Sequence, residues 1–172
     1  MKKADKRKIA ECLIKAIETG VAVDARTHTF VVNWICSGPE EKNQDMQDIW
    51  NMVLKNYYPK ERPVLFRATD YINDGKIESY TGRIGVAELF LRQCGEDAKL
   101  LICDTGDCIV PEYIRGRGDY RGTFFPLGKL LENEMRLEDS LFVKNFMRQY
   151  IGEEEYIMRT EINSLAMYKK SE

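Results

Sequence analysis

Apolar residues recur at helical spacing through the first third of the chain. Ile9, Leu13, Ile14 and Ile17 form one stripe that Gly20 stops, so the pattern predicts a helix over Lys6–Thr19. Met46, Ile49, Trp50, Val53 and Leu54 predict a second amphipathic helix ending before Pro59. Between them, Thr29–Cys36 is β-branched and aromatic and runs into Ser37-Gly38-Pro39, which predicts a short strand or buried segment. Past Pro59 and Pro63 the period changes. Val64–Ala68 reads as a strand buried on both faces, Asn73-Asp74-Gly75-Lys76 as a turn, and Ile77–Thr81 as the next strand. Ile84–Gln93 returns to helical spacing, with Ile84, Ala87, Phe90 and Leu91 on its apolar face. Leu100–Cys103 predicts a buried strand, Tyr113–Gly122 a glycine-rich loop, and Leu137–Tyr150 a helix stopped by Gly152. A strand through Glu155 follows, and Ser164–Lys169 predicts a final strand pairing back on it. Helices first, then strands interleaved with helices at irregular intervals, predict an α+β fold. No repeat or linker divides the chain, so residues 1–172 read as one domain with a helical N-terminal part over about 1–58.

Composition narrows the function classes. A chain of 172 residues, 44% hydrophobic and 31% charged, is long enough for one folded core and too short for two ordinary domains. A net charge of −2 gives no global attraction to nucleic acid, so such a partner needs a local patch. The apolar runs are far shorter than the roughly 20 residues of a membrane span. The basic start, Met1 to Lys8, leads into an amphipathic segment and not a signal-peptide core; a cytoplasmic protein without membrane partners is expected. Five cysteines among mostly apolar neighbours read as buried reduced thiols. Cys103 and Cys108 bracket Asp104-Thr105-Gly106-Asp107, but no second Cys or His pair completes a site, so no metal is expected. The sole histidine, His28, reads as a polar surface or cap residue.

The candidate chemistry begins at Gly152-Glu153-Glu154-Glu155-Tyr156-Ile157-Met158. On a strand Glu153 and Glu155 share one face, and two carboxylates so aligned repel unless something uses them. Alone, the run reads as a solvated charged edge. Upstream, however, stand Arg67 in Val64-Leu65-Phe66-Arg67-Ala68-Thr69 and the hydroxyl pair of Ser79-Tyr80-Thr81.

An arginine on a strand, a Ser-x-Thr strand followed by a helix with Ala87 and Phe90, and a late Glu-x-Glu strand resemble the mono-ADP-ribosyltransferase family, in its Arg–Ser–Glu class. The resemblance covers about half the chain, Val64 to Met158, and departs from the family pattern at Tyr80 and Gly82. It implies an ADP-ribosyltransferase-like fold of two small packed β-sheets flanked by helices, with NAD as substrate. Glu155 would then stabilise the oxocarbenium-like ribose through its 2′-hydroxyl, as carboxylates do for glycosides. Ser79 would orient Glu155, and Arg67 would clamp the diphosphate with its planar fork. Thr81 would line the same site, Tyr80 and Phe90, with Tyr71, would offer stacking faces for nicotinamide, and Glu153 would engage the acceptor. Small members of the family are often toxins or phage-defence effectors, which implies a neutralising antitoxin as partner. An NAD glycohydrolase and a non-catalytic binding or immunity module are the alternatives. At residue level, Arg67 has a second reading as a structural partner of Glu153 or Asp70.

Arg115, Arg117 and Arg121, with Tyr120 among them, form an arginine–glycine segment that suits phosphates and stacked bases. It is either a solvated loop, which leaves the macromolecular acceptor open between nucleic acid and protein, or the acceptor-binding element, which points to RNA or DNA.

Overall fold

The computed structural model describes residues 1–108, 123–137 and 147–169. Arg115, Arg117 and Arg121, the Tyr113–Gly122 loop and most of the helix expected over Leu137–Tyr150 lie outside the described residues.

The amphipathic stripes become helices. α1 spans Lys3–Thr19 and ends where Gly20 takes the left-handed conformation, φ 72°, that a residue without Cβ adopts without strain. α3 spans Gln44–Asn56, capped by the Asn43 side chain accepting from Met46 N, and buries Ile49, Trp50, Val53 and Leu54. Thr29–Cys36, expected as a short strand or buried segment, is helical and partly buried. α2 runs Ala25–Cys36, capped by Asp24 accepting from Thr27 N, and buries Thr27, Phe30, Val31 and Trp34. Those positions fall on one helical stripe, and packing them against α1 and α3 outweighs the strand preference of the β-branched residues. His28 therefore lies inside α2, and the cap is Asp24.

β1 (Val64–Thr69), β2 (Ile77–Thr81), β3 (Lys99–Asp104), β4 (Phe124–Phe125), β5 (Glu155–Arg159) and β6 (Ala166–Lys169) form one antiparallel sheet in the order β4-β5-β2-β1-β3-β6. Among the described residues this replaces the two packed sheets that the resemblance implied. β1 and β2 nevertheless meet at a single register pair, Phe66 with Thr81, so the sheet is two three-stranded halves joined at one rung. The last strand is present but pairs with β3, not with β5. Both edges of β5 are already taken, by β2 and β4, which leaves no free edge for it.

Alternation sends the two faces of β2 and β5 to different cores. Ile77, Ile157 and Phe125 join α1, α2, α3 and the helix α6 (Leu127–Leu137, after the single-turn α5 at Thr105–Cys108) around Trp34 and Trp50. Tyr80, Met158 and Phe124 join Leu65 and Cys103 on the opposite face. Trp50 meets Trp34, Phe30 and Phe125 with ring centroids 5.4–5.6 Å apart. Truncating either buried tryptophan would cost about 3–5 kcal/mol. α4 (Ile84–Gln93) forms where expected, yet Ala87 is its one buried residue, and Ile84 and Phe90 stand exposed. Cys103 is buried as expected, whereas Cys36 is exposed. No described helix is long and apolar enough to cross a membrane.

Candidate functional site

The site is assembled where α3 docks on β2. The Gln47 side chain acts as a strand partner, donating to Ile77 O and accepting from Ile77 N, each at 2.9 Å. That contact aligns β2 beneath the segment between α2 and α3, which carries Lys42. Ser79 pairs with Ile157 and Thr81 with Glu155, so Ser79 and Glu155 lie diagonally on the face covered by the helices. The Ser79 hydroxyl accepts from Lys42 Nζ at 3.3 Å and lies beside the Glu155 carboxyl, whose charged form it favours. Lys42 Nζ also sits 4.0 Å from the ring centroid of Trp34, a cation–π arrangement. The Trp34 indole N–H faces the same carboxyl without closing a hydrogen bond of full geometry, which leaves a buried donor unpaired.

Burial of Glu155 pushes its pKa up, and the Ser79 hydroxyl, Lys42, Trp34 and Arg67 oppose that rise. Burial pulls Lys42 down to about 8; Glu155 and Glu78 hold its charge, and Arg67 repels it. Both shifts follow from one cause, the removal of a carboxylate and an ammonium from water at the same place.

Arg67 approaches from β1 across the gap beyond the Phe66–Thr81 rung. Its Nη1 donates to Ser79 O at 2.7 Å, in place of a strand–strand hydrogen bond, and its Nη2 donates to Glu78 at 3.0 Å. The partner anticipated in Glu153 or Asp70 is thus Glu78; Asp70 instead accepts from Gly95 N. Glu78 is itself buried and accepts from Asn73 and Thr160, while Thr160 shares a hydrogen bond with the Tyr80 hydroxyl. Each Nη of Arg67 spends one N–H on these contacts, and its Nε is buried without a partner.

Glu153 is not on the strand. β5 begins at Glu155, and 152–154 form a turn in which Glu154 takes φ 49°. The alternation that placed Glu153 and Glu155 on one face therefore does not apply. The two carboxyls still interact, since burial first and then the Glu155 charge push Glu153 up. Thr81 fastens this turn: its hydroxyl donates to Glu153 O and accepts from Arg83 N at 3.1 Å. Gly128 of α6 completes the setting, because a Cβ there would come within 3.0 Å of Glu155 N.

Three expectations fail on position. Tyr80 packs in the core of the opposite sheet face, Phe90 stands exposed on α4, and Tyr71 is exposed beyond β1. None of these rings is stacked beside Glu155. The alternation of Ser79, Tyr80 and Thr81 already sends Tyr80 to the face away from Ser79. Sequence reasoning missed Lys42, Trp34 and Glu78. Trp34 and Lys42 precede the strands and reach the site only through helix docking; Glu78, as the neighbour of Ser79 on an expected strand, was the one that spacing made readable.

Two cavities flank the cluster. The smaller, about 230 Å³, is lined by Lys42, Gln47, Arg67, Asn73, Lys76 and Glu78 among others. The larger, about 850 Å³, has Glu155 on its wall together with Tyr57, Arg83, Phe124, Lys129 and Tyr156. Among the described residues no group of three or more potential metal ligands gathers. No family model, no curated protein and no solved structure matches the chain.

Proposed function

We propose that this protein is a mono-ADP-ribosyltransferase that moves ADP-ribose from NAD to a macromolecular acceptor. One observation carries the reading. Arg67, Ser79 and Glu155, from three strands, converge on one buried polar cluster in which the serine hydroxyl favours the charged form of the glutamate. A core needs no such cluster, since a buried carboxylate and ammonium are costly unless paired, and apolar residues of similar size would pack as well or better.

In this reading the bond between the ribose anomeric carbon and the nicotinamide nitrogen breaks with its electron pair staying on nicotinamide. Positive charge then grows on the ribose, and the Glu155 carboxylate stabilises it through the 2′-hydroxyl. Ser79 holds that carboxylate in place, so little reorganisation is needed as charge develops. Arg67, anchored by Glu78, lines the smaller cavity and offers its remaining N–H groups to the diphosphate. Glu153, beside Glu155 and shifted toward neutral pH, takes the proton from the acceptor as the new bond to the anomeric carbon forms. Water in the acceptor's place would make the same site an NAD glycohydrolase.

The test is incubation of the protein with NAD carrying a label on its adenylate portion, together with a cell lysate. Nicotinamide release and transfer of label to a large acceptor are expected, and protease or nuclease treatment identifies the acceptor class by releasing the label. Absence of nicotinamide release with every lysate tried would overturn the reading.

A further inference from the structure

Thr160 is fully buried just past the end of β5 and lines neither of the two cavities. The turn before β2 fixes its backbone from both sides: Thr160 N donates to Lys76 O at 2.7 Å, and Thr160 O accepts from Gly75 N at 2.8 Å. Its hydroxyl donates to Glu78 Oε2 at 2.9 Å, which leaves the oxygen to accept from the Tyr80 hydroxyl, also at 2.9 Å. Tyr80 is buried, and burial pushes its pKa up, so that hydroxyl stays a donor. The other carboxylate oxygen, Glu78 Oε1, accepts from Arg67 Nη2 at 3.0 Å and from Asn73 Nδ2 at 3.1 Å. Three donors thus hold one buried carboxylate, and a line of hydrogen bonds runs from Tyr80 through Thr160 and Glu78 to Arg67.

We propose that Thr160 and Tyr80 are positioning residues that act through Glu78 to fix the plane of the Arg67 guanidinium at the smaller cavity. The inference rests on the reading of the preceding subsection, in which Arg67 meets the NAD diphosphate, and adds what sets its aim. A guanidinium presents its N–H groups in one rigid plane, so its orientation decides how many of them an anion can engage at once. Two contacts determine that plane: Nη1 to Ser79 O at 2.7 Å and Nη2 to Glu78. The first acceptor is the backbone of β2 and cannot turn away. The second is a side chain, and besides Arg67 the groups that hold it are the Thr160 hydroxyl and the Asn73 amide. Arg67 Nε is buried without a partner, and Arg67 lines the smaller cavity beside Lys42 and Lys76. An ion pair serving stability alone needs neither a hydroxyl relay nor an arginine left short of acceptors, since apolar residues of similar volume pack as well or better.

The test is steady-state nicotinamide release by Thr160→Val, which keeps the shape and removes the hydroxyl, and by Thr160→Ser, which keeps the hydroxyl. Thr160→Val should raise the KM for NAD about fivefold with kcat nearly unchanged, as loss of uniform binding does. Thr160→Ser should restore the wild-type KM. Tyr80→Phe keeps the ring and should raise KM less; it takes the place of Thr160→Val if that variant fails to fold. Added to Arg67→Lys, Thr160→Val should change KM no further, because the fork it aims is already gone. An unchanged KM, a fall in kcat in its place, failure of serine to restore it, or the same rise on the Arg67→Lys background overturns the proposal. Isotope-edited nuclear magnetic resonance reads the Arg67 guanidinium directly, without NAD. Separate Nη proton signals, which report hindered rotation, are expected in the wild type and Thr160→Ser, and one averaged signal in Thr160→Val. If the wild type releases no nicotinamide, the transferase reading falls and these signals alone decide the relay, which unchanged signals in Thr160→Val would overturn.

Discussion

Ser79 and Glu155 are diagonal neighbours on the helix-covered face of the sheet, and the serine hydroxyl favours the charged form of the glutamate. A single hydroxyl so placed does this without adding charge. It also accepts from Lys42, so one serine lies between an ammonium and a carboxylate.

Glu155→Gln should lower nicotinamide release by about 10²–10³-fold, the usual loss of one preorganised electrostatic partner. Its effect on stability has the opposite sign. The folded state raises Glu155 above its ordinary value of 4.5, so it holds a proton that the unfolded chain gives up, and stability falls as pH rises above 4.5. The amide removes that dependence. Thermal melts should find the variant at least as stable as the wild type at pH 7, with the difference vanishing in acid below 4.5. A variant that melts lower at pH 7 would mean that the glutamate charge supports the fold.

Arg67 answers to both stability and binding. Arg67→Met strands the buried Glu78 carboxylate and should cost about 3–5 kcal/mol in denaturant unfolding. Arg67→Lys keeps a charge but cannot reach Ser79 O and Glu78 together, so it should fold more weakly than the wild type and raise the NAD concentration needed for half-maximal activity. Unchanged stability of Arg67→Met would show the ion pair to be dispensable.

Gly128→Ala tests how closely α6 must approach the carboxylate strand. The added Cβ would stand 3.0 Å from Glu155 N and 3.3 Å from Glu154 Cα, both backbone atoms that cannot turn aside. Overpacking of this kind costs about 1–3 kcal/mol. Denaturant unfolding should report that loss, and NAD turnover should fall with it because β5 shifts against Ser79. Wild-type stability and turnover would mean that the helix has room to retreat.

Local pattern determined much of this protein. α1, α3, α4, β2 and the Gly75 turn follow from spacing, caps and a residue that tolerates positive φ, all of which act within a few residues. The same reading picked out Arg67, Ser79 and Glu155 by their order along the chain. Tertiary structure decided what depends on neighbours distant in sequence. It made Ala25–Cys36 a helix, because burying Phe30, Val31 and Trp34 together outweighed β-branched preference. It sent β6 to β3, because β5 had no free edge, and gave Arg67 to Glu78 across the gap between β1 and β2. It also brought Lys42 and Trp34 onto Glu155, an encounter between residues more than 100 positions apart that no local spacing encodes.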